Sequence, residues 1–291
     1  MTPTLRAAAW MTGAIASFST MAIAGRVVSA ELDTFELMFY RSCVGFLIVT
    51  TVILTTGQVR KISFGHLRLQ LFRNVAHFAG QNFWFYAITV IPLAQVFALE
   101  FTSPLWVAAL APLVLGERLT ATRALSALVG FVGILIIAQP GSGAGLSVGL
   151  VTAALSAICF AFTALFTRKL TRSVSTLTIL IWLTATQLVF GFICAGYDGD
   201  FAAPTAQTLP WLVLIGCAGL LAHTCMTIAL SMAPASVVIP IDFTRLPLIA
   251  LIGAVFYDEP VGLALILGSV LIIAANLYNI RVEAREKFAQ E

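Results

Sequence analysis

Residues 92–104 read PLAQVFALEFTSP, and residues 234–246 read PASVVIPIDFTRL. At a shift of 142 residues Pro92 meets Pro234, Val96 meets Val238, and Glu100-Phe101-Thr102 meets Asp242-Phe243-Thr244. The same shift carries outward without a gap, setting Phe18 on Phe160, Ala22 on Ala164, Arg26 on Arg168 and Glu117 on Glu259. Each half is therefore predicted to be one structural unit used twice, over residues 1–141 and 146–291. A hydrophobic chain with an internal duplication is the usual signature of a transporter, with a solute site where the two repeats face each other.

Composition sets the class. Of 291 residues, 60% are hydrophobic and 10% charged, and the mean hydropathy is +1.00, whereas soluble domains carry about 25% charged residues. The chain reads as an all-α membrane protein with the lipid bilayer as its main partner. Apolar stretches of about 20 residues suffice to span a hydrocarbon core. They fall at 5–29, 33–56, 70–91, 93–115, 121–139, 146–168, 174–196, 206–232, 235–257 and 261–280. Ten transmembrane helices are expected. None shows the alternation a barrel strand needs.

Cations report orientation. With the N-terminus inside, the cytoplasmic segments hold Arg6, Arg60, Lys61, Arg68, Arg73, Arg118, Arg123, Arg168, Lys169, Arg172, Arg281, Arg285 and Lys287, against Arg26 outside. Arg41 and Arg245 are intramembrane in this reading. Glu31, Asp33, Asp198, Asp200, Asp258 and Glu259 lie outside. Such a bias places both termini in the cytoplasm, and the cell inner membrane is the expected location. The net charge of +3 is thus an orientation signal and gives no reason to expect nucleic acid. Five helices per half make the second repeat enter the membrane inverted, and an inverted repeat suits alternating access.

Other motifs are few. Ala22-Ile23-Ala24 before Gly25 imitates a signal cleavage site, but the repeat pairs helix 1 with helix 6, so retention is expected. Cys43, Cys159, Cys194, Cys217 and Cys225 all fall in spans without metal spacing, so neither a metal site nor a disulfide is predicted. No Walker A loop, dinucleotide fingerprint or HExxH motif occurs. No cofactor is expected, and ATP-driven pumping by this chain alone is excluded.

The run PLAQVFALEFTSPLWVAALAPLVLGERLTATRALSALVGFVGILIIAQPG, Pro92 to Gly141, resembles the signature of the drug/metabolite transporter superfamily in its ten-helix, duplicated EamA form. The second half repeats it with FYDEP in place of LGERLT. Arg41, in FYRSCVGF, is similar to an arginine common in EamA repeats, although its shifted partner is Leu183. The resemblance implies a basket of helices around a central cavity, with helices 5 and 10 packing at the repeat interface. Relatives of this type move amino acids, nucleotide-linked sugars, riboflavin, S-adenosylmethionine and drugs.

Polar residues at membrane depth are the candidate site. Glu100 and Asp242 are related by the repeat. Arg245 lies three residues after Asp242 on one helical face, and Arg41 sits at a depth similar to Glu100. Two ion pairs are expected, Asp242 with Arg245 and Glu100 with Arg41, serving either helix packing or the binding of a carboxylate solute, with a coupling proton as a further option. Arg73, His77, Gln81, Trp84 and Ile88 form one face of helix 3, and His223 falls on the equivalent of Gln81. Phe101, Thr102 and Phe243 complete the candidate binding set. Pro92 and Pro234 make tight turns. Pro104, Pro112, Pro240 and Pro247 interrupt helices 4 and 9, so these prolines are candidate hinges. The expected function is a monomeric secondary transporter of a small organic solute, an amino-acid exporter first and an aromatic one by its ring supply. Uptake of S-adenosylmethionine is the alternative within the class. A membrane-embedded enzyme is the alternative from another class; His77, His223 and Asp242 would allow it but form no motif.

Overall fold

The computed structural model describes residues 2–116, 120–138, 147–197, 199, 201–256 and 262–288. Glu117, Arg118, Asp198, Asp200, Asp258 and Glu259, the join at 139–146 and most of the LGERLT and FYDEP motifs lie outside them. The helices are α1 (Pro3–Val28), α2 (Thr34–Thr55), α3 (Leu67–Val90), α4 (Leu93–Glu100), α5 (Ser103–Leu115), α6 (Ala121–Ala138), α7 (Val148–Leu170), α8 (Thr176–Ala195), α9 (Leu209–Met232), α10 (Ala235–Ile241), α11 (Arg245–Phe256) and α12 (Leu263–Phe288). Short 3-10 turns stand at Gln58–Lys61 and Asp242–Thr244. Among the described residues six stretches are long and apolar enough to cross a membrane: α1, α2, α7, α8, α9 and Val237–Phe256.

Local chemistry explains the helix starts. Asp33 caps α2, accepting from Phe35 N at 2.7 Å and Glu36 N at 2.8 Å, while Glu36 reaches back to Asp33 N at 3.0 Å. Ser175 caps α8 in the same way, accepting from Thr178 N at 3.2 Å. Each such cap satisfies amides that have no partner within the helix. Pro92 and Pro234 precede α4 and α10 as extended N-caps, which suits their fixed φ. These starts obey the shift of 142: Thr34 and Thr176, Leu67 and Leu209, Leu93 and Ala235, Ser103 and Arg245, Ala121 and Leu263.

The sequence predicts that prolines interrupt helices 4 and 9, and the two are interrupted to different degrees: a turn at Phe101-Thr102 separates α4 from α5, whereas a single 3-10 turn joins α10 to α11. Pro104 has no N–H to give to the carbonyl of Glu100, four residues earlier. Helix α4 stops at Glu100, and Thr102 N turns back to Leu99 O at 3.0 Å. Pro104 then sits at the first turn of α5, where a missing donor costs nothing. In the second half Pro247 stands in the same relation to Phe243, and the chain passes through the 3-10 turn Asp242–Thr244 before α11. Both acids therefore sit at helix breaks.

Packing joins the two halves. Helix α1 lies against α9 and α3 against α7, a pair of contacts that the shift exchanges; α2 lies against α8 and α6 against α12. In lipid, apolar surface gains little by leaving its surroundings, so close approach through small residues holds helices together. A Cβ on Gly133 of α6 would come within 2.8 Å of Ile272 Cγ1 and 2.9 Å of the Gly268 carbonyl of α12. Buried Ala7, Ala14 and Ala22 of α1 and Ala222 and Ala229 of α9 serve the same purpose.

Side chains repeat the pattern at the edges. Arg26 Nε donates to Ile88 O at 3.2 Å, and its equivalent Arg168 donates to Leu230 O, which is the equivalent of Ile88. Tyr40 of α2 donates to Ala202 O at 2.8 Å, and Trp182 at the matching position of α8 donates to Ser63 O at 3.1 Å.

Candidate functional site

A central cavity with about 680 Å³ of empty space, counted out to its open side, lies among α1, α3, α7, α9 and the two broken helices. Its polar lining comes from Arg73, His77, Gln81, Glu100, His223, Asp242 and Arg245, with Phe18, Trp84 and Phe160 as its rings. Helix α3 supplies four of these. Arg73, His77, Gln81 and Trp84 recur at spacings of three and four, and all are at least 97% buried, so the periodicity of one face has become the wall of a cavity.

The acids and Arg245 form one cluster. Arg245 Nη2 donates to Glu100 Oε1 at 2.5 Å and to Asp242 Oδ2 at 2.7 Å. Trp84 Nε1 donates to the other oxygen of Glu100 at 2.6 Å. The rings of Phe18, Phe97 and Phe101 stand 5.0, 5.0 and 5.1 Å from the guanidinium carbon, placing an aromatic collar around the cation. Asp242 Oδ1 and Arg245 Nε are buried without a hydrogen-bond partner among the described residues. One guanidinium thus ties the break after α4 to the break after α10.

The expected pairing of Glu100 with Arg41 is corrected. Arg41 points away from Glu100, donating to Gln81 Oε1 and lying 3.3 Å from His223 Nε2. Depth along a span says nothing about the direction in which a side chain leaves its helix. Gln81 and His223 are themselves shift equivalents, so Arg41 is clasped by the same position of each half. Room for it comes from Gly219, where a Cβ would stand 2.9 Å from Arg41 Nε. Arg41 lines a smaller neighbouring cavity with Ser42, Thr184 and Gln187, and His223 borders both.

Arg73, which the sequence counts among the cytoplasmic-side cations, is buried within the bundle. It is 1% exposed, donating from Nε to Thr167 Oγ1 and from Nη1 to Asn74 Oδ1, both at 3.0 Å. Arg73 belongs to the predicted α3 face but not to the predicted binding set. Thr163, Thr167, Ser103 and Thr227 also line the cavity without having been singled out. Among the proposed residues, Phe101 and Phe243 do not line it; they meet edge to face at 5.5 Å in the core. Thr102 is likewise absent from the lining, its hydroxyl donating to Leu99 O at 2.8 Å.

No group of three or more potential metal ligands converges among the described residues, and the cysteines there are unpaired. The arrangement is therefore a buried, mixed-charge chamber between two matching sets of helices. The sequence matches the EamA-like transporter family over residues 5–139 and again over 147–280.

The chain belongs to that family.

A riboflavin transporter of Rhizobium johnstonii is 34% identical over 72% of this chain and 68% of its own length. The pseudopaline exporter of Pseudomonas aeruginosa is 30% identical over 89% of this chain and 90% of its own. A crystal structure at 19% identity shares the fold with a TM-score of 0.79, covering 96% of this chain and 98% of that one. This EamA chain is accordingly a multi-pass membrane transporter of the drug/metabolite type.

Proposed function

We propose that this protein is a secondary transporter of the bacterial inner membrane that moves a small organic solute by alternating access, and that amino acids, aromatic ones included, are its exported solutes. In this reading ten spans form two inverted repeats, 1–141 and 146–291, with both termini cytoplasmic and the monomer as the working unit. The observation that carries the proposal is the Glu100–Arg245–Asp242 cluster, which lines the cavity where the two interrupted helices meet. Breaking one of its two ion pairs frees one half-helix from the other, and rocking about Pro92, Pro104, Pro234, Pro240 and Pro247 then exchanges the accessible side. Protonation of either carboxylate would release its pair, which makes a proton the natural coupling ion. Phe18, Trp84 and Phe160 supply stacking surfaces for an apolar or planar body.

Uptake of S-adenosylmethionine is the alternative within the class, since that solute carries an α-carboxylate and an α-ammonium like any amino acid. The test is counterflow. Labelled amino acids, riboflavin and S-adenosylmethionine are offered to proteoliposomes with and without unlabelled solute inside, for wild type and Glu100→Gln. Saturable uptake of an amino acid that rises at least fivefold with preloading, and falls about tenfold in Glu100→Gln, is the expected result. Uptake that neither saturates nor responds to preloading would indicate a channel, and chemical conversion of the solute would indicate an enzyme. Exchange of riboflavin or S-adenosylmethionine alone would keep the carrier and remove the amino acids.

A further inference from the structure

Charge is distributed unevenly along the cavity. Both of its acids, Glu100 and Asp242, are bound to Arg245, whereas neither Arg73 nor Arg41 has a carboxylate partner among the described residues. Arg41 is committed to Gln81 and His223 and opens on the smaller cavity. Arg73 opens on the central one. It lies eleven residues before Trp84 on the same helix, about 16 Å along the axis at 1.5 Å per residue, so the acid cluster at the Trp84 end does not neutralise it. A buried cation left uncompensated is expensive.

What surrounds Arg73 is a set of neutral polar side chains, two of which accept from it. His77, one turn further along α3, is 1% exposed, and neither ring nitrogen has a hydrogen-bond partner among the described residues; its neighbours are the rings of His223 at 4.5 Å and Phe160 at 6.3 Å. Thr167 of α7 accepts from Arg73 and keeps its own hydroxyl proton to give. Asn74 takes one guanidinium edge and fixes the orientation of the fork. Among the described lining residues no acid stands at this end. A guanidinium backed by an imidazole and a hydroxyl, all aimed at one buried space, is the donor pattern that recognises a carboxylate.

The geometry points to Arg73, with His77 and Thr167, as the docking point for the carboxylate of the transported solute. The inference deepens the carrier reading above and rests on it. It assigns the solute to the organic acids and zwitterions, and it separates two ends of the chamber: Arg73 binds the anionic group while Arg245 holds the two halves together. An α-amino acid reaches only one end at a time, because its two charged groups are far closer than the two ends are along α3. Burial of Arg73 keeps lipid headgroups from reaching it.

The test uses the full-length protein in detergent and in proteoliposomes, as wild type, Arg73→Gln and Arg73→Lys. In detergent, the thermal unfolding midpoint is followed against L-phenylalanine, succinate and benzoate, each paired with its amide, with inorganic phosphate alongside. At least one acid should stabilise the wild type at a concentration about tenfold lower than its amide. Arg73→Gln should erase that preference and Arg73→Lys should keep part of it. If Arg73→Gln does not elute as a folded species, Thr167→Val and His77→Phe serve in its place, each lowering the preference severalfold. An acid preference that survives in Arg73→Gln, or its absence from wild type, overturns the inference; phosphate matching the best acid overturns the commitment to a carboxylate. Counterflow separates the two readings. Binding with an Arg73-dependent preference but no exchange of any solute removes the carrier and leaves the site. Exchange that is indifferent to Arg73 removes the site and leaves the carrier.

Discussion

Arg26 and Arg168 are matched residues that make matched bonds, to Ile88 O and to Leu230 O. At the centre of the molecule the same shift sets Arg41 against Leu183, Arg73 against Ile215, His77 against Gly219 and Ser103 against Arg245. The periphery has kept its duplication, and the chamber has lost it. In the proposed alternating-access cycle a duplicated frame needs the same anchoring in both halves, since each half would take up the other's conformation. A single solute has no such symmetry, so the groups that hold it are free to diverge. Two pairs keep the duplication in the chamber: Phe18 with Phe160, and Glu100 with Asp242, whose acids both lean on one arginine that only the second half supplies.

The largest effect should come from that arginine. Arg245→Ala leaves two buried carboxylates without a cation and is expected to cost about 3–5 kcal/mol, read as a fall in the unfolding midpoint in detergent. Adding Glu100→Gln and Asp242→Asn should recover most of the loss, and failure to do so would mean that Arg245 stabilises through its aromatic collar instead. Next is Gly219→Ala, whose Cβ would enter the space of Arg41 Nε, with an expected cost of about 1–3 kcal/mol as overpacking. Paired with Arg41→Leu, which restores the residue type of the other half, the penalty should shrink by more than half in a double-mutant cycle. The smallest effects test the frame. Arg26→Gln and Arg168→Gln should each cost about 1 kcal/mol, equal within about 0.5 kcal/mol and additive because the sites are distant. A clear inequality would break the symmetry at the periphery as well.

The helices were legible because hydropathy and the shift are properties of the chain itself. Thr34 and Thr176 begin α2 and α8 at the positions their polar caps dictate, and the prolines foretold where helices 4 and 9 would fail. The α3 face was legible for the same reason, and it delivered His77, Gln81 and Trp84 to the cavity. Partners were not. Glu100 was matched to Arg41 by depth, but two residues at one depth can point to different helices, and only the packing of α4 against α11 brings Arg245 within reach. Arg73 was read as a flanking cation because it stands in the second turn of its helix; its burial depends on α7 lying across that turn. Phe101 and Phe243 were carried along with their acidic neighbours, although one residue further round a helix is about 100° away.

The contacts between halves also govern how the protein is made. The main partner of α1 is α9, which begins about 180 residues later, a delay of roughly 10–35 s at ordinary elongation rates. Until then the first helix waits in the bilayer with its small-residue stripe facing lipid or a chaperone. Biogenesis is therefore a race between the ribosome and quality control, and a chain stalled in its second half should be degraded as an orphan even when every span already made is correctly inserted.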